Sequence, residues 1–255
     1  MYTRMVEHTD EAPRGTLGTV RNATLLLDLL SEGSPHHQLT DLAERSGLSI
    51  PTVHRLLRSL VAAGLVEQDP ASLRYGLGSE LVRLAERYLA RLPVFRAISP
   101  FLVELRNSTK ATVMAAVLVR GWVVYIDRVD GDDIGGVFRE PARMRPAFET
   151  AAGRLLSARS RPGVWEEALA ASANGQHPTL EDRERWAEAP YLVHLPEPHD
   201  LTEVAVPVIG DDGRTLASLV ATCSPDRYTE DVLAEEIAPQ LARAATAVSR
   251  ALTHA

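Results

Sequence analysis

The sequence predicts an α+β protein made of a winged helix-turn-helix followed by a larger sheet domain. Two observations support this fold class. Short amphipathic helical patterns are followed directly by a pair of short strand patterns, and from about residue 93 onward apolar strand pairs alternate with further helical patterns. A chain of 255 residues is long enough to form two such domains.

The first three helices are predicted from apolar residues at helical spacing. One covers about residues 19–30, the second is "LTDLAERSG", and the third runs from about Ser49 to Ala63. Gly47 and Gly64 follow the second and third patterns, as glycine commonly does at helix ends. The tight connection at Gly47 gives the second and third helices the spacing of a helix-turn-helix.

A hairpin and a fourth helix follow. "LVEQDPASLRYGLG" predicts strands at 65–68 and 73–77 around a turn at 69–72. "SELVRLAERYLARL" then places one apolar stripe on a helix that Pro93 is expected to end. An amphipathic helix between two domains needs a cover for its apolar face, and a second copy of the same helix would provide one.

The remaining residues predict a central antiparallel sheet flanked by helices. A helix at about 95–105 precedes two apolar strands in "TVMAAVLVRGWVVYIDRV", and "LTEVAVPVIG" pairs with "TLASLVATC" across a turn at 211–213. Helical patterns lie between these strand pairs at about 150–157, 164–171 and 180–188, and a long helix is expected at about 230–251. We therefore divide the chain into a flexible tail (1–15), a winged helix-turn-helix (16–77), a linker helix (78–92) and a second domain (93–255).

Composition limits the classes of partner and compartment. The net charge is −7, but the segment from Arg14 to Arg91 contains nine Arg and eight acidic residues, so the rest of the chain carries the acidic excess. Contact with a nucleic acid would therefore depend on local charge. A single cysteine excludes an intrachain disulfide and favours a reducing compartment. Without a long apolar run or a secretory signal pattern, we expect a cytoplasmic protein with no membrane partner.

The third helix has a buried stripe and a polar, basic face. Ser49 is the predicted N-cap, and no acidic residue lies between Ser49 and Ala63. In a helix-turn-helix, the N-terminal residues of the second helix reach base edges in the major groove. The predicted DNA-contacting residues are Ser49, Ile50, Thr52, His54, Arg55 and Arg58, with Arg74 on the hairpin as the wing contact. The alternative is a solvated amphipathic helix with no partner.

The run "LTDLAERSGLSIPTVHRLLRSLVAAGLVEQDPASLRYGLGSELVRLA" resembles the IclR family of bacterial transcriptional regulators. The shared motifs are "LA", "GL", "TVHRLL" and "Y.LG", with weaker matches in "AAGRLL", "EVAVPVIGDDG" and "CSP". The resemblance implies a DNA-binding winged helix, a linker helix that dimerises, and a GAF-like effector-binding domain that senses a small organic molecule. It also implies double-stranded operator DNA as the partner of a homodimer or a dimer of dimers. Ile50 departs from this family, which often has a basic residue there.

The resemblance also places an effector pocket between the sheet and the loop "AFETAAGRLL". The implied effector-binding positions are Phe148, Ala151, Ala152, Glu203, Ala221 and Cys223. Backbone N–H groups at Ala151 and Ala152 would face a ligand carboxylate, since a helix N-terminus binds anions. Glu203 would accept from a donor or repel a carboxylate. The apolar residues favour an aromatic or apolar-bodied effector, and the alternative is that they only pack the sheet against a helix.

Two other classes of site are weaker. "HLPEPHDLTE" brings together the potential metal ligands His194, Glu197, His199 and Asp200, but their spacing fits no standard motif, so we expect a polar loop and no metal or other cofactor. No phosphate-binding loop, nucleophile elbow or catalytic arrangement is recognisable, so we expect no enzyme. The sequence thus predicts a repressor of a neighbouring catabolic operon that a small effector releases; the alternatives are an activator of the same type and an interaction module without DNA binding.

Overall fold

The computed structural model describes residues 18–132, 144–172, 177–195, 202–224 and 228–253. The chain divides into two compact units, Met1–Tyr88 and Leu89–Ala255. The predicted flexible tail, residues 1–15, lies outside the described residues. In the first unit, the elements are α1 (Gly18–Leu30), α2 (Leu39–Ser46), α3 (Ile50–Ala62), β1 (Val66–Gln68), β2 (Tyr75–Leu77) and α4 (Glu80–Leu89).

The first unit is a three-helix core with an antiparallel two-stranded wing. Gly47 adopts φ 67°, a left-handed conformation that glycine tolerates without a Cβ clash, and it ends α2 so that α3 can begin shortly afterwards. Apolar residues of α1, α2 and α3 share one buried cluster with Val66 of β1 and Tyr75 of β2. This cluster holds the wing against the end of α3, confirming the winged helix-turn-helix.

Two predicted boundaries differ from the structure. The second wing strand begins at Tyr75 and not at residue 73, because Leu73 adopts φ 58° within the turn. The prediction that Pro93 ends the fourth helix is wrong: α4 ends at Leu89, and Pro93 is the first residue of the next helix. Proline suits that position because the first helical N–H has no intrahelical partner.

The second unit contains a six-stranded antiparallel sheet in the order β5-β4-β3-β8-β7-β6. Its strands are β3 (Thr112–Val119), β4 (Trp122–Val129), β5 (Met144–Pro146), β6 (Leu192–His194), β7 (Thr202–Ile209) and β8 (Thr215–Cys223). Its helices are α5 (Pro93–Thr109), α6 (Ala151–Ala158), α7 (Pro162–Ala171), α8 (Leu180–Glu188), α9 (Glu230–Val232) and α10 (Ala238–Thr253). The α+β architecture is confirmed.

The two faces of this sheet pack against different helices. On one face, Val204, Ala221 and Cys223 share a buried cluster with apolar residues of α5 and α10. On the other face, Ala205 and Val220 pack against the first residues of α6. Because successive side chains of a strand point to opposite faces, the register decides which residues α6 meets.

Three features were not predicted. The edge strands β5 and β6 have three residues each, too short for an alternation pattern. The C-terminal region, predicted as one long helix, contains a π-helical turn at Leu233–Ile237 between α9 and α10. Among the described residues, no helix has the length and apolar character needed to cross a membrane.

Candidate DNA-reading helix and candidate effector site

Ser49 is the N-cap residue of α3. Its carbonyl accepts from the N–H groups of Thr52 and Val53 at 2.9 and 3.0 Å, which starts the helix, and Pro51 falls in the first turn, where its missing N–H is not needed. The Ser49 hydroxyl hydrogen-bonds the Thr52 hydroxyl at 2.8 Å and does not cap a backbone N–H. Two hydroxyl groups are therefore positioned together at the start of the helix.

The predicted buried and exposed faces of α3 are both observed. Val53, Leu56, Leu57 and Leu60 are buried, as the 3.6-residue period predicts. The opposite face presents Ser49, Ile50, His54, Arg55 and Arg58 to solvent, with Thr52 half-buried between them. Ile50 is 51% exposed, so about half of the surface of this apolar side chain faces solvent.

Arg55 and Arg58 form no ion pair with the residues that the structure describes, and the same holds for the exposed wing residue Arg74. Arg45 on α2 is different: its guanidinium lies 2.7 Å from Glu32 and 3.7 Å from Asp41. The positive charge on α3 and the wing is therefore not neutralised locally, whereas that on α2 is. A shallow groove between α3 and the wing, lined by His54, Arg58, Gln68 and Tyr75, connects these two basic elements.

In the second unit, the structure brings Glu203 on β7 against the start of α6. Glu203 is 4% exposed, and its Oε1 accepts from the Ala152 N–H at 2.9 Å. Ala151 and Ala152 are fully buried in this contact region. Three of the predicted effector-site residues thus lie together.

The structure separates Ala221 and Cys223 from that group. Both face the α5 and α10 side of the sheet, whereas Glu203 pairs across the sheet with Thr222 and faces α6. On a strand, a shift of one residue moves a side chain to the other face. The β8 residues on the α6 side are therefore Val220 and Thr222. Cys223 is 1% exposed within an apolar cluster.

Phe148 lies in an aromatic cluster beside α6. Its ring centroid is 4.9 Å from that of Trp165 and 6.1 Å from that of Trp186. The Phe148 carbonyl accepts from Arg154 Nε at 2.9 Å, and the guanidinium of Arg154 lies 5.4 Å from the Trp186 ring centroid. Phe148 therefore positions the first turn of α6 through packing with the aromatic cluster.

Burial raises the pKa of the Glu203 carboxyl to about 7, because the charged form loses its hydration. The Ala152 N–H, the guanidinium groups of Arg145 and Arg154, and the Tyr125 hydroxyl act in the opposite direction and stabilise the carboxylate. Burial and the nearby Glu203 carboxylate raise the pKa of Tyr125, so its hydroxyl stays protonated beside Glu203. Tyr125, Arg145 and Arg154 were not predicted as site residues.

The four potential metal ligands, at which the sequence predicts a polar loop and no metal, are only partly within the described residues. His194 lies on β6, where it pairs across the sheet with Glu203, whereas Glu197, His199 and Asp200 lie outside the described residues. Over the described ranges, no group of three or more His, Cys, Asp or Glu side chains is arranged to hold a metal ion.

A helix-turn-helix with an exposed basic second helix, a wing and a separate sheet domain defines a winged-helix transcriptional regulator. Residues 19–70 match the IclR helix-turn-helix domain. The chain is 29% identical over 248 residues to the transcriptional regulator XynR of Escherichia coli K12, spanning 92% of this chain and 96% of XynR. It is 35% identical over 153 residues to the glycerol operon regulatory protein of Streptomyces coelicolor, 60% of each chain.

Solved structures of similar proteins match the fold over most of this chain. An IclR-type regulator from Silicibacter sp. TM1040 is 27% identical, with a TM-score of 0.77 over 92% of this chain and 96% of that one. An IclR homologue from Microbacterium hydrocarbonoxydans, crystallised with 4-hydroxybenzoate, is 21% identical with a TM-score of 0.69 over 93% of this chain and 100% of its own. The chain is thus similar, in its helix-turn-helix domain and over most of its length, to transcriptional regulators of the IclR family, and these relatives are regulators, not enzymes.

Proposed function

We propose that this regulator binds a palindromic operator as a homodimer or a dimer of dimers and represses a neighbouring catabolic operon until a small organic effector binds its second unit. The observation that carries the proposal is the basic face of α3, which is exposed and unneutralised within the domain that matches the IclR family. A groove-facing helix of this kind places side chains at base edges and cationic groups at phosphates.

The exposed residues differ in how far their side chains can extend toward DNA. Three side chains lie at or near the start of α3 and are short enough to contact base edges: Ser49, Thr52 and His54. Arg55 and Arg58 are long enough to contact either guanine or phosphate, and Arg74 extends from the wing toward a phosphate. These assignments predict losses of different kinds, because phosphate contacts supply affinity and base contacts supply sequence preference.

Ile50→Lys tests the departure from the family pattern. An ammonium group at this exposed position should add one phosphate contact, so operator affinity should increase at low salt and the slope of log affinity against log salt should steepen by about 1. Ile50→Met is the matched control because it keeps an apolar side chain. Weaker binding by the lysine variant only to operators that keep a particular thymine would show that Ile50 itself contacts the operator, as a thymine methyl contact requires.

The fourth helix supports self-association. In α4 no residue is buried within the chain, and Leu84 and Tyr88, which lie four residues apart on one face, are 46% and 63% exposed. We propose that a second copy of α4 covers this apolar face, as the family resemblance implies.

Leu84→Asp should then shift the protein from dimer to monomer in analytical ultracentrifugation and weaken operator binding with it, because a charge would be buried in the contact. Glu86→Asp lies on the polar side of the same helix and controls for the lower helix propensity of aspartate. An unchanged sedimentation coefficient for the Leu84 variant would place the dimer contact elsewhere.

The second unit supplies the sensor in this proposal. Its support is a polar centre buried under α6, together with the same fold in the Microbacterium hydrocarbonoxydans homologue crystallised with 4-hydroxybenzoate. Phe148, Ala151, Ala152 and Glu203 remain the proposed effector-site residues. Regulation requires that the effector bind more tightly to one conformation of the dimer than to the other.

A mobility-shift assay of the native protein on DNA from upstream of its own gene tests the proposed function. We expect a specific complex whose affinity decreases steeply as salt increases. The absence of any complex at low salt would overturn operator binding and favour an interaction module. Stronger expression of the neighbouring genes after deletion of the regulator would support repression, and weaker expression would identify an activator.

A further inference from the structure

The N-terminus of α6 is already occupied by groups of the chain itself. The Gly153 N–H donates to the Thr150 hydroxyl at 2.9 Å, and the Ala152 N–H donates to the Glu203 carboxylate at 2.9 Å. These amides are among those that a ligand carboxylate would otherwise approach at a helix N-terminus. Glu203 reaches them from β7, 51 residues further along the chain.

We propose that the carboxylate of Glu203 is a built-in occupant of the anion position at the start of α6, so that the effector of this regulator carries no carboxylate there and presents a hydroxyl group to Glu203 instead. This inference rests on the proposed sensor function of the second unit. It reverses the polarity expected for the position, because the protein supplies the acceptor and the ligand supplies the donor.

Geometry and charge both disfavour a ligand carboxylate. The Ala152 N–H has one hydrogen, and Glu203 Oε1 is aligned with it, so a second carboxylate would have to displace a buried side chain. Two carboxylates sharing a buried site also repel each other strongly. Thr222, which pairs with Glu203 across the sheet, is itself buried on the same face.

A hydroxyl donor fits the remaining capacity of Glu203. An ionised carboxylate accepts only, at about four lone-pair positions, and the Ala152 N–H uses one of them. The charged and titratable groups that face Glu203 are Arg145 from β5, Arg154 from α6, Tyr125 from β4 and His194 from β6. Because two guanidinium groups already act on the carboxylate, a cationic ligand would be repelled, whereas an uncharged hydroxyl would not.

Acetate is the direct probe, because Glu203→Ala removes a fragment of the same size and charge. Acetate should bind the Glu203→Ala protein about ten- to hundredfold more tightly than the native protein, as expected for a regained charge-assisted hydrogen bond, and should raise its melting temperature. Glu203→Gln keeps a side chain of the same size at this position, so its affinity for acetate should not increase. Glu149→Ala, which removes a half-buried carboxylate near Arg145 without opening the position, is a second control. Equal acetate affinity in the alanine variant and the native protein overturns the proposal.

A pair of matched ligands tests the ligand class in the native protein, with no reliance on the alanine variant folding. Benzyl alcohol and benzoate differ only in a hydroxymethyl or carboxylate group, and benzoate has no hydroxyl group that could donate to Glu203 in its place. By calorimetry the native protein should bind the alcohol more tightly, and Glu203→Ala or Glu203→Ser should reverse the order. The same order in native and variant proteins, or no difference between the two compounds in the native protein, overturns the inference. Operator affinity of the native protein without ligand is an independent readout: failure to bind the operator would contradict the proposed function and leave the acetate result standing.

Discussion

Replacing both Arg55 and Arg58 with alanine should reduce operator affinity by about 2–6 kcal/mol, because each substitution removes either a bidentate base contact or a phosphate contact. For every phosphate contact that is removed, the slope of log affinity against log salt should also decrease by about 0.9. Fluorescence anisotropy over a series of salt concentrations measures both quantities. The fold should be unaffected, because both side chains are exposed and neither contributes to the cluster of the first unit.

Arg45→Ala is the matched control for this experiment. It removes an arginine from the neighbouring helix of the same domain, but one whose charge is already neutralised by Glu32 and Asp41. Operator affinity and salt slope should change little. If Arg45→Ala weakens binding as much as the double variant does, the affinity depends on general positive charge and not on the exposed face of α3.

The Glu203→Gln protein should differ from the native protein in how its stability depends on pH. The folded-state pKa of Glu203 is raised to about 7 from an ordinary value of 4.5, so between these values the folded state keeps a proton that the unfolded state has released. The free energy of unfolding of the native protein should therefore decrease as pH increases through this window, by up to about 3 kcal/mol, and stay level above pH 7.

Glutamine does not titrate, so the variant should lack this contribution, and the difference in unfolding free energy between the two proteins should change over the same window. Chemical denaturation of the full chain at a series of pH values measures it. A difference that is constant from below pH 5 to above pH 8 would contradict the assignment of a buried, ionising carboxylate. An effect of opposite sign would mean that the arginines and the Ala152 N–H outweigh burial.

The sequence predicted α3 well because interactions between neighbouring residues determine where this helix begins and which of its faces is buried. The buried stripe of α3 follows from the 3.6-residue period, and the turn before it follows from Gly47, which adopts the left-handed conformation. The family motifs then indicated an IclR regulator, which the relatives of the chain confirm. The polar face needed no tertiary information, since residues of one helix define it.

The buried polar centre was predicted only in part because several distant segments build it. Tyr125 comes from β4, Arg145 from β5, Arg154 from α6 and Glu203 from β7. No local sequence pattern predicts that β4, β5 and β7 bring these side chains together beside α6. Ala221 and Cys223 were grouped with Glu203 because the family resemblance matched their strand positions, but only the register shows that Thr222 shares the face of Glu203.

The central claim, that α3 reads operator sequence, is tested most directly by a base-by-base binding scan. Each operator position would be substituted in turn, and binding measured for the native protein, Thr52→Ala, His54→Ala, Arg55→Ala and the Arg45→Ala control. We expect each α3 variant that removes a base contact to lose base preference at one operator position, repeated symmetrically in both half-sites. The Arg45→Ala control should keep the native base preferences. Base preferences that are unchanged in every α3 variant would contradict a sequence-reading role for α3.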